Sequence, residues 1–204
     1  MTIWFCSDTH FGHAGILTHQ PARNAEFIDT NDMDTAIIDA INARVGRDDT
    51  LYHLGDFAWK ASKYGHYRNR LNVRKLHIIK GNHDSSSIRP ICSSLNELLS
   101  IKIRYRDNEP RIKIQLCHYP MLSWDALHYG GVHLYGHSHG TYEAQLDALF
   151  PGRRAMDVGV DNIHKLFGRW GPVSLPEVLS YLGVTSGESV KVAGPFRESE
   201  DDTC

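Results

Sequence analysis

Ile3-Trp4-Phe5-Cys6-Ser7-Asp8-Thr9-His10-Phe11-Gly12-His13 joins an apolar run to a burst of metal-ligand residue types. Ile3–Cys6 has the composition of a short buried strand, and Asp8 and His10 follow just past its carboxyl end. The same order recurs along the chain. Residues 51–54 run into Gly55-Asp56, and residues 76–79 into Gly81-Asn82-His83-Asp84. Ile112–Cys117 runs into His118, and Val132–Tyr135 into Gly136-His137-Ser138-His139. In open α/β sheets the carboxyl edge is where ligands bind, because loops converge there on a rigid frame. Five loops therefore deliver Asp, Asn and His side chains to one edge.

Carboxylate, imidazole and carboxamide oxygen, with no thiolate, suit hard to borderline divalent cations such as Mn²⁺, Fe²⁺ or Zn²⁺. Asp8/His10 and His137/His139 are each two positions apart, so an extended backbone would point both members the same way. Gly55, Gly81 and Gly136 would permit tight turns and positive φ beside the ligands. Two cations about 4 Å apart repel each other and need a shared carboxylate between them. Each motif alone arises often by chance. Their weight lies in all five following a predicted strand.

The rest of the chain alternates strand and helix, which points to a layered α/β fold. Residues 155–160 read as a further strand. Residues 101–105 alternate and should pair with 112–116 through an antiparallel hairpin around 106–110. Met33, Ile37, Ile38, Ile41 and Val45 form one stripe of a helix over 32–45, with Asn31 or Asp32 available as its cap. Weaker helices are expected over 64–71 and 95–99, and a short one over 176–182 with proline in its first turn. Residues 1–182 are expected to form one domain, and the polar, acidic residues 183–204 a flexible tail.

The chain has 24 acidic and 22 basic residues and a formal net charge of −2, which argues against a nucleic-acid binder held by bulk charge. No apolar stretch has the roughly 18 residues of a membrane span, and the amino terminus lacks the pattern of a signal peptide. Four scattered cysteines with no CxxC pair fit free thiols in a reducing compartment, so a cytoplasmic location is expected.

Together the D-x-H, G-D, G-N-H-D, solitary H and G-H-x-H motifs resemble the calcineurin-like metallophosphoesterase superfamily from Trp4 to about Leu182. The likeness is greatest to its small single-domain bacterial and phage members, which also open with Ser-Asp-Thr-His-Phe-Gly-His. The resemblance implies an α/β fold, a two-sheet αββα sandwich with a dimetal site at the carboxyl ends of the strands. It implies one metal held by Asp8, His10, Asp56 and His139. The other would be held by Asp56, Asn82, His118 and His137. Manganese is the first expectation for both, with iron, zinc, nickel or cobalt as alternatives. A bridging hydroxide would attack phosphorus, while His83 assists the leaving group or steadies the transition state. One departure is informative. Protein serine/threonine phosphatases continue the second motif as Asp-Arg-Gly, whereas Gly55-Asp56 here runs into Phe57-Ala58-Trp59-Lys60. Protein phosphatase activity is therefore not expected, and Asp84 is expected to orient His83 instead.

Several residues have two readings. His13 lines the substrate pocket or merely serves its loop, and Arg23 clamps a phosphate bidentately or lies on the surface. Tyr119 and Trp124 are expected to wedge the His118 loop against the core. The basic run over 68–75 is expected to be a solvated helix face. His53, His66, His77, His128, His133 and His164 are read as structural, and Cys6 and Cys117 as buried packing residues. The leading functional expectation is a phosphomonoesterase or phosphodiesterase acting on a small phosphorylated molecule or nucleotide. A nuclease working on nucleic-acid ends is the alternative, and a catalytically silent scaffold a third.

Overall fold

The computed structural model describes residues 1–104 and 111–184, and their strands form two sheets. Strands β1 (Ile3–Cys6), β2 (Thr50–His53), β3 (Lys75–Ile79) and β4 (Ser94–Asn96) pair in parallel in the order β4-β3-β2-β1. The short strand β9 (Val173–Ser174) closes that sheet antiparallel to β1. In the second sheet β5 (Leu98–Ile103) lies antiparallel on β6 (Ile112–Cys117). Strands β7 (Val132–Tyr135) and β8 (Ala155–Asp157) continue it in parallel. Cys6 pairs with His53 and His53 with Ile78, so the first three strands end level with one another.

Helices flank the sheets. The longest, α3 (Thr30–Arg44), buries Met33, Ile37, Ile38 and Ile41, the stripe that a 3.6-residue period predicts. Its cap is Asp29, whose side chain accepts the Asp32 N–H, in place of the expected Asn31 or Asp32. The last helix, α7 (Leu175–Tyr181), opens on a reciprocal box between Ser174 and Glu177, with Pro176 in its first turn. Before α3, the residues between the first strand and Asp29 hold α1 (Ala14–His19) and α2 (Pro21–Glu26). Each has one buried residue, Ile16 and Arg23 respectively, so neither carries an apolar stripe that sequence could reveal. The remaining helices are α4 (Tyr64–Arg70), α5 (Glu143–Leu149) and α6 (Val160–Phe167).

Two local expectations change. Residues 95–99 are not helical; they straddle the end of β4 and the start of β5. Five residues are too few to separate the helix period from the strand period, and the alternating exposure of Leu98–Ile103 is that of a half-covered strand. The strand expected over 155–160 stops at Asp157, and Val160 begins α6. The hairpin legs pair as expected, Ile101 opposite Ile114, while its tip over 106–110 lies outside the described residues. So does the tail from 185 onward.

Phe5, Leu51 and Ile78 of one sheet, Leu116, Leu134 and Met156 of the other, and Ile37 and Ile41 of α3 belong to a single buried cluster. Burying such a side chain is worth about 1.5–3 kcal/mol, and cutting Leu134 to alanine should cost about 2–5 kcal/mol. Two mixed sheets flanked by helices make the α/β sandwich that the resemblance implied. Among the described residues, no helix is long and apolar enough to cross a membrane.

Candidate metal centre

Backbone pairing does not stop where the strands do. Asp8 N–H donates to Gly55 O at 2.9 Å, His10 N–H to Asp56 O at 2.9 Å, and Phe11 N–H to Phe57 O at 3.0 Å. The loops after β1 and β2 are thereby zipped together beyond the sheet edge. The second sheet is tied on by His137 N–H, which reaches the Asp8 carboxylate at 3.0 and 3.1 Å, and by Val160 N–H, which reaches Ser7 O at 3.1 Å.

The local backbone differs from the extended form expected. Asp8, His10, Asp56, His137 and His139 have φ of 56°, 50°, 55°, 69° and 50°, and Ala126 is the one other non-glycine among the described residues with positive φ. The left-handed region disfavours residues with a Cβ, by about 1–3 kcal/mol where the conformation is strained, and persists where surrounding bonds over-determine it. Of the three glycines beside the ligands, only Gly55 uses its freedom, at φ 101°. Gly81 and Gly136 are needed for space: a Cβ would strike the Asp56 carboxylate in one case and the Asp8 carboxylate in the other.

Asp8, His10 and His139 offer ligand atoms within 4.8 Å of one another, and so do Asp56, His118 and His137. Asp56 Oδ2 stands between the two groups, 3.6 Å from His10 Nε2 and 3.5 Å from His118 Nε2. Asn82 Oδ1 lies 3.0 Å from both His118 Nε2 and His137 Nδ1. His10 Nε2 is buried without a hydrogen-bond partner, a state that native interiors rarely leave uncompensated. These nitrogen and oxygen donors fit divalent cations.

The carboxylates and imidazoles of the cluster pull on one another's protons. Burial raises the Asp8 carboxyl above its ordinary range against the pull of His139 and His118. Burial would also raise Asp56, but the hydrogen bond and charge of His118, with His10, hold it below the ordinary range. For His118, burial works downward and is outweighed by Asp56 and Asp8, which lift the imidazole to about 9. His139 follows the same pattern, with burial overcome by Asp161 and Asp8. Burial drives His10 well below its ordinary value. The upward pull on His118 and His139 marks the concentration of carboxylate charge that divalent cations would meet there.

A second layer orients these groups. His139 Nδ1 meets Asp161 Oδ2 at 2.6 Å, and His118 Nδ1 meets Leu54 O at 2.7 Å, leaving each Nε2 toward the cluster. Arg23 is not a phosphate clamp. It is wholly buried and donates from Nε and Nη2 to Asp161 at 2.7 and 2.6 Å, and from Nη2 and Nη1 to the carbonyls of Asp8 and Thr9 at 2.6 and 3.1 Å. Nor does Asp84 orient His83: its carboxylate accepts the N–H groups of Asp56, Gly81 and Phe57 at 2.8, 3.0 and 3.0 Å, pinning the loop that carries Asp56. Asp157 does the same for the His137–His139 loop through Ser138 Oγ and Gly140 N–H, at 2.7 and 2.8 Å. Asp157 and Asp161 were missed from sequence. Asp157 closes β8, but the strand expected over 155–160 ran past it, so its place at a strand end was hidden in the sequence.

His83 is exposed beside the cluster, its N–H donated to Asp56 Oδ1 at 2.9 Å and its ring 5.5 Å from that of His10. His13 lies at the same rim, 5.5 Å from the His10 ring and stacked on Trp59. Trp124 is buried as expected, but Tyr119 is exposed, its ring 5.1 Å from His118 and 4.8 Å from His137. His53 and His133 are structural, bonded to Thr9 and to Gln115 O. Cys6 is buried, and burial raises its thiol; Cys117 is half-buried. Within the basic run, Arg68 and Arg70 are tied to Ile91 O and Thr35 Oγ1, whereas Arg74 is exposed and pairs with Asp48.

Comparison with known proteins places the chain in a family. The chain is 28% identical to "Uncharacterized protein MJ1445" of Methanocaldococcus jannaschii over 182 residues, covering 88% of this chain and 90% of that one. It is 24% identical to "Gene 66 protein" of Mycobacterium phage L5, covering 81% and 89% respectively. A solved structure of a protein of unknown function from Aquifex aeolicus, AQ665, shares the fold with a TM-score of 0.65 at 20% identity, over 88% of this chain and 98% of the other. Residues 1–155 match the calcineurin-like phosphoesterase superfamily domain, and the chain belongs to that superfamily.

Proposed function

We propose that the protein is a two-metal phosphoesterase that hydrolyses phosphate esters of small molecules or nucleotides. The observation that carries this reading is the place of Asp56 Oδ2, 3.6 Å from His10 Nε2 and 3.5 Å from His118 Nε2, where one carboxylate oxygen can serve two cations. Asp8, His10, Asp56 and His139 would hold one cation, and Asp56, Asn82, His118 and His137 the other. Bound there, two divalent ions, manganese foremost, supply charge to polarise the phosphoryl oxygens and acidify a water for attack.

The chain's own groups do the rest. Asp161 and Leu54 O hold His139 and His118 in the tautomer that turns Nε2 inward. Asp56 Oδ1 fixes the backbone at His83, whose ring stays free of the ligand set and exposed, placed to give a proton to the departing oxygen. The near-balanced charge favours a small ester over a long polyanion, and the free thiols at Cys6, Cys92 and Cys117 favour the cytoplasm. Turnover of p-nitrophenyl phosphate and bis-p-nitrophenyl phosphate with Mn²⁺ tests the proposal. Metal-dependent release of p-nitrophenolate, abolished by chelation, is expected from at least one of them. No turnover with manganese, iron, zinc, nickel or cobalt would overturn it in favour of a binding scaffold.

A further inference from the structure

The loops that carry Asp8 and Asp56 continue past the ligands and end in His13 and Trp59. Their rings stack with centroids 3.8 Å apart and planes 2° apart. The backbone enforces the pairing, because Phe11 bridges Ala58 and Trp59 N–H donates to Phe11 O at 3.0 Å. Trp59 nonetheless keeps 43% of its surface exposed, although an indole is a side chain that folds mostly bury. Its ring centre is 5.2 Å from that of His83, and His13 and His83 are 6.3 Å apart. With the 3.8 Å stack, these separations make nearly a right angle at Trp59, so His83 sits at the indole edge rather than over a face. Among the described residues, no ring covers the indole face opposite His13.

We propose that Trp59, backed by His13, is a stacking shelf for the base of a nucleobase-bearing phosphate ester, whose nucleoside is the leaving group beside His83. This rests on the phosphoesterase reading and narrows its substrate class. An indole held by its backbone pairing, backed on one face by His13 and 43% exposed, can stack a flat π-system without reorganising, which lowers the ordering cost of binding. In the reaction, water adds across the phosphorus–oxygen bond. The phosphate keeps the water oxygen, and the nucleoside oxygen departs with a proton.

The test compares kcat/KM for adenosine 5′-monophosphate and ribose 5-phosphate at saturating Mn²⁺, in the wild type, Trp59→Ala and Trp59→Phe. Both esters break the same kind of bond, so their ratio reads the base alone. Should only diesters react, the methyl esters of the same two phosphates replace them. The wild type should favour the base-bearing ester by about tenfold or more. The ratio should fall toward one in Trp59→Ala and survive in part in Trp59→Phe. A wild-type ratio of one, or a ratio untouched by Trp59→Ala, overturns the shelf. A single-stranded oligonucleotide run alongside should react more slowly than the mononucleotide; the reverse overturns the free nucleotide as ligand and assigns the shelf to a strand end. If no ester of any kind is hydrolysed, the phosphoesterase reading fails separately. The shelf is then judged by quenching of tryptophan fluorescence by adenosine 5′-monophosphate. Quenching that Trp59→Phe removes supports it, and no quenching overturns it.

Discussion

His139 Nδ1 stands 2.6 Å from Asp161 Oδ2, and its other ring nitrogen is 3.9 Å from Asp8 Oδ1. The same Asp161 carboxylate takes the fork of the fully buried Arg23, which in turn caps the carbonyls of Asp8 and Thr9. One aspartate therefore sets both the tautomer of a candidate ligand and the shape of the loop bearing two others.

Asp161→Asn keeps the side chain's shape but loses its charge. It should weaken metal binding at the Asp8–His10–His139 group by about 10–100-fold, the usual effect of losing an outer carboxylate. Mn²⁺ titration followed by electron paramagnetic resonance would read it. Unchanged affinity at both sites would contradict the role.

Asp161→Ala goes further and leaves the Arg23 guanidinium buried without its carboxylate. It should cost about 3–5 kcal/mol in denaturant unfolding, whereas Asp48→Ala, at an exposed pair with Arg74, should cost at most about 1 kcal/mol. Equal effects of the two substitutions would mean that the buried pair does not hold the loop.

Protons and metal should compete. The raised His118, at about 9, and the raised His139 stabilise the metal-free fold fully below the ordinary histidine value of 6.5. That contribution is lost as pH climbs through about 9. The depressed His10 acts on the acid side of 6.5 and does not offset the trend above it. In chelator, the melting temperature should fall from pH 6.5 to 9, and saturating Mn²⁺ should flatten the fall as cations replace protons. A level profile in chelator would contradict the charge balance described for the cluster.

Gly81→Ala tests the close approach of β3's loop to Asp56. The added Cβ would overlap the Asp56 carboxylate and N–H, so the Asp56 loop must move. A 1 Å misplacement of such a group is enough for about 10²-fold in rate. Metal content should fall along with activity. Near-wild-type values for both would show that the approach is looser than described.

His83→Ala should keep both metals and slow turnover by roughly 10²–10⁴-fold on an ester with a poor leaving group. The loss should be smaller for a p-nitrophenolate leaving group, which scarcely needs a proton. Equal losses would assign His83 to charge stabilisation instead of proton donation.

The fold and the seven converging side chains were legible because each follows an apolar strand, and a buried strand leaves a run of large residues that sequence displays. The outer layer was not. Arg23 reads as an ordinary arginine until α2 turns it inward onto Asp161, a partner 138 residues away. Asp84 sits beside His83 in sequence, yet its carboxylate bonds the loop N–H groups of Asp56, Phe57 and Gly81. Left-handed backbone at Asp8, His10, His137 and His139 leaves no compositional mark, because only glycine advertises positive φ. The helices α1 and α2 were hidden for a different reason: at six residues each they are too short for a periodic stripe.

Elemental analysis of the protein saturated with Mn²⁺ and freed of loosely bound ion tests the two-metal account most directly. Asp56 Oδ2, poised between His10 and His118, predicts two equivalents per chain. A content that stays at or below one would contradict it.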